Sequence, residues 1–141
     1  MMETRQLTCA ERVQGYYNDT FETIRRMLQG IDEDGSKRDS FELLNEYGLG
    51  IDYVQAGTFE DQEEGYIRWQ LSWGGPSDEF RFYCVRDRLG NRKPYKIEYW
   101  FLDWFDGAKK LILKGPDWDT ILECWDMLLM YEIDQIDYEE F

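Results

Sequence analysis

The chain contains no histidine. That removes the commonest general base, the commonest metal ligand and the usual switch near neutral pH. Its three cysteines, Cys9, Cys84 and Cys124, are odd in number and far apart, with no CxxC pair. A disulfide framework or a zinc site is therefore not expected, and buried free thiols in a reducing compartment are. No apolar run approaches the roughly 20 residues of a membrane span. The opening MMETRQLTCAERVQGYY lacks the apolar core of a secretory leader, so a soluble, cytoplasmic protein is expected. There is no GK[ST] phosphate loop, and Gly48 and Gly50 alone do not make GxGxxG. The segment DEDGS opens like a calcium loop, but Lys37 replaces the glycine at its sixth position and Leu43 stands where the twelfth needs Glu. No cofactor and no metal are expected.

Positive charge is also scarce. The chain has 141 residues, the length of one domain, and a formal charge of −14. The imbalance is uneven: residues 46–80 carry a net −7 with Arg68 as their one base, whereas residues 81–114 carry a net +5. From Gly115 to Phe141 there are nine Asp or Glu and no Lys or Arg. Direct binding of nucleic acid is disfavoured, because phosphate contacts supply most of that affinity. Disorder is disfavoured too, since 17% of residues are aromatic.

Periodicity places the elements. Thr8 and Glu11 match a capping box, and Val13, Tyr17, Phe21, Ile24 and Leu28 recur at helical steps up to Gly30. A short helix follows from Ser40 over FELLNEY, with Gly48 as its C-terminal glycine. The period then becomes two. LGIDYVQAG reads as a strand. GYIRWQLSW puts Ile67, Trp69, Leu71 and Trp73 on one face. GGPSD reads as a turn, EFRFYCVR as a strand, DRLGNRKP as a basic turn, YKIEYWFLDWF as a strand and GAKKLIL as a last short one. From about Asp117 a helix returns, with Trp118, Ile121, Leu122, Trp125 and Leu129 on one face and Asp119, Glu123 and Asp126 on the other. The fold class is α+β in a single domain, residues 1–141: an antiparallel sheet of four to five strands packed by N-terminal helices and a C-terminal helix.

Three chemistries are open to these residues. Asp103 and Asp106 in FLDWFDG could work as a carboxylate pair if desolvation raises one pKa, or they could simply end the strand with Asp106–Gly107 in a turn. Trp69, Trp73, Trp100 and Trp104 could stack on bases or pack a core. The acids could be a solvated face or a binding surface. On a helix Asp119, Glu123 and Asp126 would stand roughly 5 Å apart along the axis. A DNA strand presents a phosphate every ~3.4 Å, so such a stripe can stand in for phosphates before a basic protein. The candidate partner-binding residues are Asp119, Glu123 and Asp126, then Glu132, Asp134, Asp137, Glu139 and Glu140 in the tail. The loop Glu60, Asp61, Glu63 and Glu64 would extend the same field.

Three segments, FELLNEYGLGIDYVQAGTF, YIRWQLSWGGPSDEFRFY and YKIEYWFLDWFDGA, resemble a group of small acidic proteins of phages and mobile elements. The resemblance covers roughly residues 41–108 and implies no catalytic residues. Most of that group has no assigned function, so what the resemblance implies is a setting: small acidic phage proteins frequently block host defence, including restriction enzymes and CRISPR effectors, and some do so by imitating DNA. The expected function is thus non-enzymatic inhibition of a nucleic-acid-targeting defence complex, anti-CRISPR or anti-restriction. The alternative is an immunity or adaptor protein for a basic partner such as a toxin nuclease. An uncovered sheet face would also allow a homodimer.

Overall fold

A computed structural model describes residues 7–74, 76–104 and 106–129. Helix α1 spans Cys9–Leu28 and begins with the expected capping box: the Glu11 amide donates to Thr8 Oγ1 at 3.3 Å, and the Thr8 amide donates to Glu11 Oε1 at 3.1 Å. Tyr17, Phe21, Ile24 and Met27 form its buried face. Helix α2 spans Ser40–Tyr47 and is capped by Asp39, which accepts from the Glu42 amide at 3.2 Å. Five strands follow: β1 Gly50–Val54, β2 Tyr66–Ser72, β3 Pro76–Arg86, β4 Arg92–Asp103 and β5 Asp106–Leu111. They form one antiparallel sheet in the order β1-β2-β3-β4-β5. Helix α3, Pro116–Cys124, runs into a π-helical turn at Trp125–Leu129. The α+β class follows directly.

The helices cover one sheet face. Ile67, Trp69, Phe80, Phe82, Ile97, Tyr99 and Phe101 point into that layer and are buried with Tyr17, Phe21, Ile24, Trp118, Ile121 and Trp125. Phe82 and Trp125 meet with ring centroids 5.1 Å apart. Because successive side chains alternate faces, Arg68, Glu79, Arg81, Tyr83, Glu98 and Trp100 stand on the opposite face, which no helix among the described residues covers. Cys9 and Cys124 are buried and Cys84 half-buried, all as free thiols. Burial pushes the Cys84 and Cys124 thiols up to about 12, which leaves them poor nucleophiles.

Three sequence expectations are corrected. Gly48 does not close α2 in a left-handed conformation, since its φ is −84°. It is small because Trp69 crosses it: a Cβ there would stand 2.4 Å from Trp69 Nε1. The segment GGPSD is not all turn. β3 starts at Pro76, where a proline costs a sheet least, and the register shifts between Gln70 and Ser72 so that Ser72 faces Asp78. Trp73 falls beyond this irregularity and is 77% exposed instead of lying beside Trp69. At the end of α3 the chain passes into the π turn, where Leu128 is buried; the side chain of Leu129 lies outside what is described.

The β4–β5 connection is shorter than expected. Asp103 pairs directly with Asp106, so the turn precedes Asp106–Gly107. Trp104 lies in this connection with φ +56° and is 82% exposed. A bulky side chain in the left-handed region is strained by about 1–2 kcal/mol, and glycine there loses about 0.5–1 kcal/mol to its looser unfolded state. Trp104→Gly is therefore expected to raise stability by about 0.5–1 kcal/mol. Urea denaturation checks this, and an unchanged or lower midpoint would mean that the indole holds the turn.

Candidate functional site

The acids predicted on the last helix divide by role. Asp117 is committed to the fold: its Oδ2 accepts from Tyr17 Oη at 2.5 Å and its Oδ1 from Arg25 at 2.7 Å. Asp119, Glu123 and Asp126 are exposed and make no ion pair among the described residues. Their buried counterparts Trp118, Ile121 and Trp125 fix which side of the helix faces water. Asp119 and Glu123 lie one turn apart, in the i,i+4 relation that sets two side chains side by side. Asp126 belongs to the π turn, where each residue advances less than the about 100° of an α-helix. The stripe therefore bends at its third member and is not the straight row that the sequence implied. Glu132, Asp134, Asp137, Glu139 and Glu140 lie outside the described residues.

The loop acids do not extend that stripe. Glu60, Asp61, Glu63 and Glu64 lie in the β1–β2 connection and line a cleft together with Glu79, Arg81 and Tyr83. Those strand residues point away from the helical layer, where Phe82 of the same strand meets Trp125 just after α3. The two acidic groups thus sit on opposite sides of the sheet. This corrects the expectation of one continuous field, because the face taken by a loop depends on which sheet face the helices occupy. Glu64 is also engaged, with Lys96 Nζ at 3.3 Å and the Tyr95 hydroxyl as its partners. Glu60, Asp61 and Glu63 are exposed and make no ion pair among the described residues.

Sequence reasoning missed the cleft itself. It has a volume of about 720 Å³ and runs along the uncovered sheet face between the β1–β2 loop and Trp73. Its floor holds two carboxylates that are almost fully buried, Glu79 at 3% and Glu98 at 4% exposure. Glu79 accepts from Arg81 Nε at 2.8 Å, and the Arg81 guanidinium lies 3.9 Å from the Trp100 ring centroid. Glu98 accepts from Tyr83 Oη at 2.9 Å and Trp100 Nε1 at 3.1 Å, and pairs with Lys109 at 3.1 Å. At the sheet edge Arg68 grips Asp52 with two bonds, at 2.9 and 2.7 Å. Each strand carried these residues in a period-two pattern. Glu79–Arg81 and Glu98–Trp100 pair two residues apart on one strand, but the contacts that join them to each other, to Tyr83 and to Lys109 cross between strands, so no local signal announced the network.

This network predicts a pH dependence. Burial pushes the Glu98 carboxyl up, but the bonds from Trp100, Lys109 and Tyr83 outweigh it and hold the group below its ordinary 4.5. A depressed carboxyl contributes stability that is complete above its unfolded value and is lost as pH falls through the folded one. The melting temperature is expected to drop on acidification below about pH 4.5. Glu98→Gln is expected to flatten that drop, as read from thermal melts across the acid range. Equal slopes in the two proteins would place the acid sensitivity elsewhere.

Asp103 and Asp106 hold the start of α1. Arg12 Nη1 donates to Asp103 Oδ2 at 2.6 Å, and the Cys9 amide donates to Asp106 Oδ2 at 2.8 Å. The Cys9 backbone bond holds the Asp106 carboxyl below its ordinary value. The upward shift that a general acid at Asp106 would need is therefore not found there. The four tryptophans also divide. Trp69 is core, Trp100 floors the cleft, and Trp73 and Trp104 stand in connections between strands. Among the described residues no helix is long and apolar enough to cross a membrane. No protein-family model, curated protein or solved structure matches the chain.

Proposed function

We propose that this chain is a non-enzymatic inhibitor that binds a basic, nucleic-acid-handling protein of a host defence system, anti-CRISPR or anti-restriction in type, and keeps DNA or RNA from its channel. The observation that carries the reading is the exposed α3 face, where Asp119, Glu123 and Asp126 stand without cations among the described residues while the other side of the helix is buried. Unneutralised charge at −14 opposes compaction, so it is a cost to the fold unless a partner neutralises it. Carboxylates on a helix anchored by Trp118 and Trp125 are held in place before the partner arrives, which lowers the ordering cost of binding. The same charges speed encounter with a basic surface and weaken with salt. Most of the acid-rich segment from Gly115 onward lies beside this face in sequence and would add to its field.

The test is a DNA-binding assay with purified restriction and CRISPR effector complexes. The chain is expected to displace DNA from its target in proportion to its own binding, with no turnover of nucleic acid. Binding to a target that leaves DNA occupancy unchanged would rule out imitation of the phosphate backbone.

A further inference from the structure

The geometry points to a second binding surface: the cleft on the uncovered sheet face receives an arginine side chain from an extended, basic segment of the partner protein. The occupant is argued from charge and from a precedent inside the cleft. Each cation of the face already has its own carboxylate: Arg68 has Asp52, Arg81 has Glu79, Lys96 has Glu64 and Lys109 has Glu98. The surplus is acidic, namely Glu60, Asp61 and Glu63 at the rim. The apolar groups that line the same cleft, Phe59 and Trp73, are 50% and 77% exposed. Carboxylates and aromatic rings that line one cleft are what a guanidinium uses, since it forks onto a carboxylate and stacks on a ring face. The cleft already holds one guanidinium in this way, Arg81, between Trp100 and Glu79. The rim offers the same pair of chemistries with no guanidinium of its own. A lysine would gain the charge but not the fork and the stack.

The inference rests on the proposed function in one respect, that the partner is basic. It differs in the face used, because α3 lies on the other side of the sheet. A partner that touched both faces would wrap the edge of the domain, and an extended segment can do so.

The probe is a blocked peptide in which arginine alternates with glycine, with lysine and citrulline versions as controls. Binding is read by tryptophan fluorescence and by amide chemical shifts in about 0.15 M salt, where charges more than about 8 Å away are screened. The arginine peptide is expected to bind saturably and to shift amides of the β1–β2 loop and Trp73. Citrulline should bind at least about tenfold more weakly, and Trp73→Ala about fivefold, the size of one exposed cation–π contact. Glu60→Gln with Glu63→Gln should cost about tenfold. Asp119→Asn with Glu123→Gln removes the same charge from α3 and should change the affinity less than twofold. Equal losses from the two double variants, or shifts spread over α3, would show general attraction and overturn the proposal. No saturable binding, or an unchanged affinity in Trp73→Ala, would overturn it as well. The two readings fail separately: cleft binding that survives while α3 variants still inhibit removes the role of α3 and leaves the cleft standing.

Discussion

Replacing Asp119, Glu123 and Asp126 together with lysine is expected to weaken binding to the basic partner by about 100-fold or more while the domain stays folded. Reversal does more than delete attraction. It sets three cations against a basic surface, and like charges across an interface cost several kcal/mol. Each 1.4 kcal/mol is about tenfold in affinity. Stability should change little, because all three side chains are exposed and make no ion pair among the described residues. Exposed substitutions of this kind stay within about 0.5 kcal/mol each. Asp119 adds a small loss, since it lies in the first turn of α3, where the helix dipole favours an acid by about 0.3–1 kcal/mol. Circular dichroism melts and a binding isotherm on the same sample separate the two effects. Unchanged affinity in a folded triple variant would remove α3 from the interface.

Asp78→Ala should cost about 3–5 kcal/mol of stability, the largest loss expected from a single polar residue here. Asp78 is a carboxylate at 8% exposure on the helix-covered face. Tyr99 Oη donates to its Oδ2 at 2.7 Å, Thr20 Oγ1 approaches the same oxygen at 3.4 Å, and the Ser72 hydroxyl bonds Oδ1. These donors come from β4, α1 and β2, so one side chain on β3 ties the helix to three strands. Hydrogen bonds to a charged group contribute about 1.5–3 kcal/mol each. Alanine would leave the fully buried Tyr99 hydroxyl without its acceptor, and an unpaired polar group in the core costs about 1–3 kcal/mol. Asp78→Asn keeps an acceptor oxygen and should cost less than alanine. Chemical denaturation gives both values, and a loss below 1 kcal/mol for alanine would mean that water or repacking replaces the network.

Much of the fold was legible because its signals are local. The Thr8–Glu11 box, the helical spacing of Tyr17, Phe21 and Ile24, and the alternation of Ile67, Trp69 and Leu71 each specify an element without reference to the rest of the chain. The failures come from long-range contacts. Pro76, Ser77 and Asp78 have the composition of a turn, and they form a strand because Asp78 finds hydroxyls 58 and 21 residues away in sequence. Gly48 does end α2, but not in a left-handed turn, and its size is set by Trp69 on β2. The π turn that bends the acidic stripe leaves no trace in the spacing of the acids themselves.

The candidate site was legible as residues and not as a surface. The exposed acids of α3 follow from helical periodicity. That the Glu60–Glu64 loop lies on the far side of the sheet does not, because the sequence does not say which sheet face the helices cover. The cleft was hidden for the same reason. Glu79 and Arg81 lie on β3 and Glu98 and Trp100 on β4, and the register of β3 against β4 brings the two pairs together.

The central claim is that exposed carboxylates of this chain occupy a nucleic-acid channel on a basic partner. An affinity capture from lysate of the natural host, run at low and high salt and with competing DNA, tests it most directly. The account predicts recovery of a restriction or CRISPR complex at low salt, loss of it at high salt, and displacement by DNA. A toxin nuclease as the sole captured protein, or a defence complex that DNA does not displace, would contradict it.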